Sequence, residues 1–535
     1  MKELKRGIYF EKQKYIFKPI PKYEDVINLL PKPIIDNPDL MEMYSYTLKC
    51  AFKNAKVPEI GSNLISNFQD SAFNMNLFLW DSCFISRFLN YYIEYLPGII
   101  TLDNFYHMQL PNGLIPREFS KLTGSDYPKW INVEQTKLHS YFHNIYQYRG
   151  IDKALQNKEY YYPNLQRTPD EIPYYTLDNL NHPLLAYAEY YHYLHTGNKA
   201  RLLLVHEALY QYYQSLRMHI RHDIDLYVTD WASMDNSPRN KNLLIGVDIS
   251  SEMVLFGKML VEIYKIINVN VSLERINTLQ KDIEMTSNQI NRYMWDNETG
   301  FYYDLDQNLK QIKIKTIAGF WPLIAEIANT NQIESLIRCL ENPDTFNRNH
   351  RVPSLAADEI GFHSNGGYWA GGVWSPTNLM ITDGLEVNGH HKLAKKIAIN
   401  HLENVLAVYK ETHSIWESYP ADFRGKGDSD RGDFVGWTGI APILYLIQYY
   451  IGLKADAKSQ TLIWEIDSSN SKLGCVNFSF LNKKADFLAF IDNEKVNIKI
   501  KTNDIFNLNI IFNDVTHFFQ IKGDISLDIL VKKND

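Results

Sequence analysis

From roughly Asp39 to Leu453 apolar residues recur at helical spacing, stretch after stretch, and beyond Lys458 the period drops to two. A chain patterned this way has to bury one stripe of each successive helix and one face of each later strand. Phe84, Phe88, Tyr91, Tyr92 and Tyr95 illustrate the helical spacing, before Pro97-Gly98 stops the run. The same reading predicts helices over 184–194, 201–218, 250–267, 272–294, 315–328, 378–388, 390–409 and 438–452. Helices in series, with Gly-, Pro- and Asn-containing loops between them, suggest a closed double ring in which loops carry the chemistry. Short alternating segments at 462–466, 475–481, 485–491, 496–501, 505–512, 517–521 and 525–531 are broken by Asn, Asp and Gly and read as strands. The expected architecture is therefore mainly α with a small C-terminal β-sandwich. Its predicted divisions are an N-terminal arm at 1–38, holding Pro19, Pro21, Pro31, Pro33 and Pro38, a helical body at 39–458, and the sandwich at 459–535.

Charge and composition narrow the partners. The net charge of -7 over 535 residues is mild, and no long basic run tracks a phosphate backbone, so nucleic acid is not an expected partner. No apolar run of about 18 residues suggests a membrane span. The N-terminal segment passes from Lys5-Arg6 to Glu11, Lys12, Gln13 and Lys14 without an apolar core, and Cys50, Cys83, Cys339 and Cys475 are scattered. Both point to a cytoplasmic protein with free thiols. The aromatic load is heavy, with 36 Tyr, 26 Phe and 10 Trp.

Two aromatic segments carry carboxylates. Trp231-Ala232-Ser233-Met234-Asp235-Asn236-Ser237-Pro238-Arg239 mixes an indole, amides, a carboxylate and a guanidinium, and Trp416-Glu417-Ser418-Tyr419-Pro420 repeats the theme far along the chain. An indole face stacks on the C–H bonds of a sugar ring, Asn and Arg bond its hydroxyls, and an Asp among apolar neighbours keeps its proton near neutral pH. Paired carboxylates are what glycosidic-bond hydrolysis requires.

Set beside their neighbours, these segments resemble the clan of inverting glycosidases that holds the trehalases, the family 63 processing α-glucosidases and the mannosylglycerate and glucosylglycerate hydrolases. Phe78-Leu79-Trp80-Asp81-Ser82-Cys83-Phe84 looks like its W-D-S-x-F segment, and Asn112-Gly113-Leu114-Ile115-Pro116-Arg117 like its G-x-I-P loop. Met234 to Arg239 is similar to the general-acid segment, and the run from Gly367 to Asn378, containing Tyr368-Trp369 and Trp374, to the Y-W-x-G-x-[IV]-W-x-x-x-N motif. Trp416-Glu417-Ser418-Tyr419 looks like the general-base segment and Phe434-Val435-Gly436-Trp437-Thr438 like the closing F-x-G-W-T/S motif. The resemblance implies an (α/α)6 barrel and an inverting mechanism; with no H-E-x-x-H or Cys/His ligand spacing, Gly-rich phosphate loop or dinucleotide fingerprint in the sequence, no cofactor or metal is expected. Two departures stand out: Asp230-Trp231-Ala232-Ser233 replaces Glu-Ser-Gly before the catalytic Asp, and Ala370 stands where many members carry Arg.

On this reading Asp235 is the general acid and Glu417 the general base, ionised at working pH, with the two carboxyls roughly 6.5 to 9.5 Å apart to admit a water. A small carbohydrate or glycoside would meet Trp80, Asp81, Asn112, Arg117, Trp231, Asn236, Arg239, Tyr368, Trp369, Trp374 and Trp437, with Gln109 a weaker candidate. Gly371 and Gly372 would permit close backbone approach. The His residues, densest at 182, 192, 195 and 390–391, lack metal-ligand spacing and read as helix-surface or capping groups. The Asp- and Gly-containing run 424–433 reads as a lid between base and Trp437, without the ligand register of a calcium loop. The expected activity is exo-acting hydrolysis of a small α-linked glucoside or mannoside. A sugar epimerase or unsaturated-uronide hydrolase on a similar toroid, and a silent sugar-binding protein, are the alternatives.

Overall fold

The computed structural model describes residues 6–11, 17–72, 75–124, 133–134, 174–175, 182–229, 234, 236–239, 244–269, 271–306, 308–428, 430–492 and 495–530. The principal helices are α1 (Pro38–Asn54), α2 (Leu79–Leu89), α3 (Leu185–Thr196), α4 (Lys199–His219), α5 (Val247–Ile267), α6 (Leu273–Gln289), α7 (Thr330–Glu341), α8 (Ser375–Val387) and α9 (His391–Thr412). A π-helical stretch follows at Ala441–Ile451.

Helix starts are set locally. Asn37, Asn198, Ser272 and Asn329 each accept a backbone N–H from the first turn of α1, α4, α6 and α7, satisfying a donor that the helix itself cannot. Asn329 and Gln332 form a reciprocal capping box.

Burial separates two kinds of helix. α5 buries almost every side chain, Asp248 and Glu252 included, and α2 and α8 are covered nearly as completely. α6 buries only Leu279, Asp282 and Thr286, so it shows one apolar stripe to the protein and the rest to water. The fully covered elements touch one another in a cycle: α2 packs on α3, α3 on α5, α5 on Trp321–Ile324, that turn on α8, α8 on Trp437–Ile440, and Trp437–Ile440 again on α2. The one-striped helices lie against them, α4 and α6 on α5 and α9 on α8, while α1 packs against α9 and Ala441–Ile451.

The C-terminal strands form two sheets. One runs, in spatial order, Lys32–Ile35, Lys472–Phe480, Lys483–Ile491, Lys495–Lys501 and Ile525–Leu530, antiparallel throughout. The other runs Leu453–Asp456, Thr461–Ile466, Ile505–Phe512 and Val515–Lys522. Alternation turns Val496, Ile498 and Ile500 inward from the first and Phe506, Leu508 and Ile510 from the second. Trp464 meets Phe487, and Phe480 meets Phe506, across the gap between the sheets.

Four features differ from the sequence reading, the first being that Leu453–Asp456, inside the expected helical body, is a strand of the second sheet. Lys32–Ile35 lies within the expected N-terminal arm but adds an edge strand to the C-terminal sheet, where Pro33 opposite Cys475 sits without breaking an interior ladder. The helix expected over 315–328 is only the 3-10 turn Ile317–Phe320 and Trp321–Ile324, because the chain turns away at Glu326 with φ of 50°. α7 escaped the periodicity reading, although Asn329-x-x-Gln332 carried its start signal.

Candidate active site

The loops that carry the sequence motifs each precede one of the fully covered elements, so they gather at one mouth of the cycle. Trp80 and Asp81 open α2, residues 234–239 precede α5, 363–374 precede α8, and 414–436 precede Trp437–Ile440. The pairing of Phe78 with Glu118, and the bond from Leu79 N–H to Arg117 O at 3.0 Å, dock the Gly-x-Ile-Pro-Arg loop against the start of α2.

Glu417 lies two residues before Tyr419, which exchanges backbone bonds of 2.8 and 3.0 Å with Val373 and so joins the base segment to the segment before α8. Its carboxyl accepts the Tyr368 hydroxyl at 3.3 Å, and its carbonyl accepts Trp437 Nε1 at 2.9 Å. Only 2% of Glu417 is exposed. Burial, and then the charges of Asp430 and Asp81, push the carboxyl up to about 8, while the Tyr368 hydrogen bond and Arg431 pull the other way. This bears on the expectation of an ionised base: burial and the two neighbouring carboxylates favour the protonated form, because a buried carboxylate beside two others is the costlier state.

Trp80 is the aromatic hub. Its ring stands edge-on to Phe84 at 4.9 Å, Trp437 at 5.5 Å and Trp369 at 6.2 Å, and Trp369 stacks on Trp374 at 4.1 Å with the planes 4° apart. Trp374 is wholly covered, so it supports Trp369 from behind instead of forming a wall of the opening. The turn presenting Tyr368 and Trp369 is left-handed at Gly367 and Tyr368, with φ of 52° and 56°. A Cβ on Gly371 would lie 2.6 Å from the His363 carbonyl oxygen, and one on Gly372 2.3 Å from that of Tyr368, so both positions require glycine.

Asp235 and Trp231 lie outside the described residues, as does the 230–233 departure. Asn236 is described: its side-chain amide donates to Gly367 O at 2.9 Å and its oxygen accepts Trp369 N–H at 2.8 Å. The residue next to the expected acid is thereby clipped to the turn whose Tyr368 reaches the expected base. The loop itself springs from the paired strands Val228–Thr229 and Leu244–Ile245.

Three sequence candidates have other work. Arg239 is only 2% exposed and donates to both Asp304 (2.6 and 2.7 Å) and Asp248 (2.5 and 3.0 Å), so its guanidinium anchors the acid loop to α5 and does not face a sugar. Asn112 turns its own loop by accepting Leu114 N–H at 3.0 Å. Gln109 is buried and donates to Gly113 O and Ala208 O. Arg117 keeps a 3.2 Å contact with Glu118 and is partly exposed. Asp81 is almost covered in the first turn of α2, where its charge reaches Glu417.

Sequence reasoning missed a buried His–Glu pair beside this cluster. His182 Nδ1 lies 2.6 Å from Glu252 Oε2, Trp321 Nε1 donates to Glu252 Oε1 at 2.7 Å, and the imidazole sits 5.9 Å from the Trp80 ring. Burial opposes protonation of His182, but Glu252 outweighs it and raises its pKa. His182, His192 and His195 are all buried, correcting the helix-surface reading, whereas His390 does sit at the N-cap position of α9. Among the described residues no group of His, Cys, Asp and Glu has the arrangement of a metal site. No described helix is long and apolar enough to cross a membrane.

The solved structures that this chain resembles include glycoside hydrolases. The GH63 mannosylglycerate hydrolase of Thermus thermophilus, solved with glucose, is 17% identical with a TM-score of 0.53, covering 75% of this chain and 99% of that one. The α-L-rhamnosidase of Dictyoglumus thermophilum is 9% identical with a TM-score of 0.57, covering 93% and 49%. At such identities the likeness is one of fold. An uncharacterized protein of Borreliella burgdorferi is 31% identical over 304 residues, 54% of this chain and 63% of that protein, so the match spans less than two thirds of the relative. Residues 139–438, more than half of the chain, match the model of the mannosylglycerate hydrolase MGH1-like glycoside hydrolase domain. The chain belongs to that family.

Proposed function

We propose that the protein is an inverting exo-α-glycosidase that removes a terminal sugar from a small α-linked glucoside or mannoside, on an (α/α)6 toroid with a C-terminal β-sandwich. The observation that carries this reading is the short path between the two carboxylate segments: Asn236 to Gly367 and Trp369, and Tyr368 to Glu417. Six covered elements packed in a cycle with one-striped helices against them support the toroid, and the sandwich beside it takes in Lys32–Ile35 and Leu453–Asp456 as well as the strands beyond 459.

Asp235 protonates the glycosidic oxygen as the C–O bond breaks. Glu417 takes a proton from a water that attacks the anomeric carbon from the opposite face, so the product anomer is inverted. For that step Glu417 must first give up the proton that burial keeps on it, and the Tyr368 hydrogen bond to its carboxyl favours the ionised form. Trp80, Trp369 and Trp437 supply apolar faces for the ring, and Asp81 supplies an acceptor for hydroxyls.

Proton NMR of the anomeric region during turnover of α- and β-linked glucosides, mannosides and glycerate-linked sugars tests the reading. First appearance of the β-anomer from an α-linked substrate is the expected result. First appearance of the α-anomer refutes the mechanism, and saturable binding of a sugar with no turnover makes the protein a binder.

A further inference from the structure

Asp430 has no part in the acid–base scheme, yet this carboxylate of the loop 424–433 is buried, at 8% exposure. Its carboxyl accepts Ser418 N–H at 2.7 Å, the Ser418 hydroxyl at 3.0 and 3.1 Å, and Gly427 N–H at 3.0 Å. Gly427 N–H also reaches Ser418 O at 3.0 Å, and a Cβ at Gly427 would stand 2.3 Å from Ser418 Oγ. The loop is therefore fastened to the residue that follows Glu417, with no room for a side chain between them. A second fastening lies at Asp428, which accepts Gly367 N–H at 3.1 Å, next to Tyr368.

We propose that Asp430 is the positioning residue of the base: its carboxylate clips the loop 424–433 onto Ser418 and so fixes both the backbone and the electrostatic surroundings of Glu417. The inference rests on Glu417 being the base. Among the described residues, the groups facing Glu417 are Asp430 and Arg431 from this loop, Asp81 from α2, Tyr368 from the turn before α8 and the Trp437 indole, with Lys426 close to Asp430. Asp430 is the larger of the two like charges acting on Glu417. Burial holds the Asp430 carboxyl itself up at about 6, against the three donors from Ser418 and Gly427, so near neutral pH it is the ionised member of the pair. A carboxylate in that state pins the base segment by hydrogen bonds and resists ionisation of Glu417 until a substrate or water arrives.

Difference infrared spectroscopy of the full chain, without substrate, isolates the protonated carboxyl band of Glu417 by subtraction of Glu417→Gln. In Asp430→Asn the midpoint at which that band disappears is expected to fall by about one pH unit, the size of effect a buried neighbouring charge exerts. Asp430→Glu, which keeps the charge, should leave the midpoint near the wild-type value. Where turnover is measured, Asp430→Asn should move the acid limb of kcat/KM the same way and lower kcat about 10- to 100-fold with KM within about 3-fold, the pattern of a misplaced catalytic group. If Asp430→Asn does not fold, Ser418→Ala stands in: it removes the hydroxyl donor that favours the ionised Asp430, so the midpoint of the Asp430 band should rise. An unmoved Glu417 midpoint in Asp430→Asn, or an unmoved Asp430 midpoint in Ser418→Ala, overturns the proposal. A wild-type protein that hydrolyses no sugar overturns the function but leaves these titrations to decide the role of Asp430.

Discussion

Replacing Glu417 by Gln should make the protein more stable, by an amount that grows with pH. The folded-state carboxyl sits at about 8 against an ordinary value of 4.5, chiefly because it is buried and faces Asp430 and Asp81. Between those two values the folded protein holds a proton that the unfolded chain has released. Stability therefore falls by about 1.4 kcal/mol for each pH unit of rise, about 5 kcal/mol across the interval. Below 4.5 both states are protonated and nothing is lost; above 8 the full cost remains. Gln has nearly the same shape and no proton to lose, so the difference between variant and wild type isolates this one carboxyl from the other titrating groups. A helical body of several hundred residues converts 1 kcal/mol into about 1 °C of Tm. The variant should thus gain about 5 °C on the wild type between pH 4.5 and pH 8, read from paired thermal melts at four or five pH values. A gap that stays constant with pH would mean that Glu417 is already ionised in the folded protein, and would refute the argument that burial and neighbouring carboxylates keep it protonated.

Other outcomes follow from the same geometry. The acid limb of kcat/KM should rise about tenfold per pH unit and level off near pH 8 as Glu417 ionises; a limb centred between 4 and 5 would exclude it as the base. Asp235→Asn should lower turnover of alkyl glycosides by at least about 1000-fold while sparing a glycosyl fluoride, whose leaving group needs no proton; equal losses on both substrates would remove Asp235 from the acid role. Arg239→Met leaves Asp248 and Asp304 buried without their shared cation and should cost about 3 to 5 kcal/mol, seen as a lowered Tm; an unchanged melt would show that the pair is not held as described. Asn236→Ala removes both clips to Gly367 and Trp369, so kcat should fall more than KM changes, and a pure KM effect would assign Asn236 to substrate contact instead.

The β-region was legible because its signal is local. Each of the seven expected segments is a strand, since period-two alternation and Asn, Asp or Gly breaks act within a few residues. Long helices were legible for a similar reason, and their ends where Gly197 or an Asn cap stands. Helix 315–328 failed because nothing in a periodic pattern reports that Glu326 will turn left-handed. Lys32–Ile35 was invisible as a strand since its partner lies more than 400 residues away in sequence. At the site, Trp80, Tyr368, Trp369, Glu417 and Trp437 declared themselves by unusual residue types in a row. His182, Glu252 and Asp430 did not, because a buried charge is recognised by what surrounds it.

Sequence by itself determined most of the helical and strand-forming segments and which clan their motifs resemble, since propensity, period and motif are properties of neighbouring residues. Tertiary structure alone decided that Arg239 is consumed by Asp248 and Asp304, that Trp374 backs Trp369 from behind, and that Glu417 is buried beside Asp430 and Asp81, which raises its pKa. Each of those depends on desolvation and on charges brought together from distant parts of the chain, and neither exists until the chain has folded.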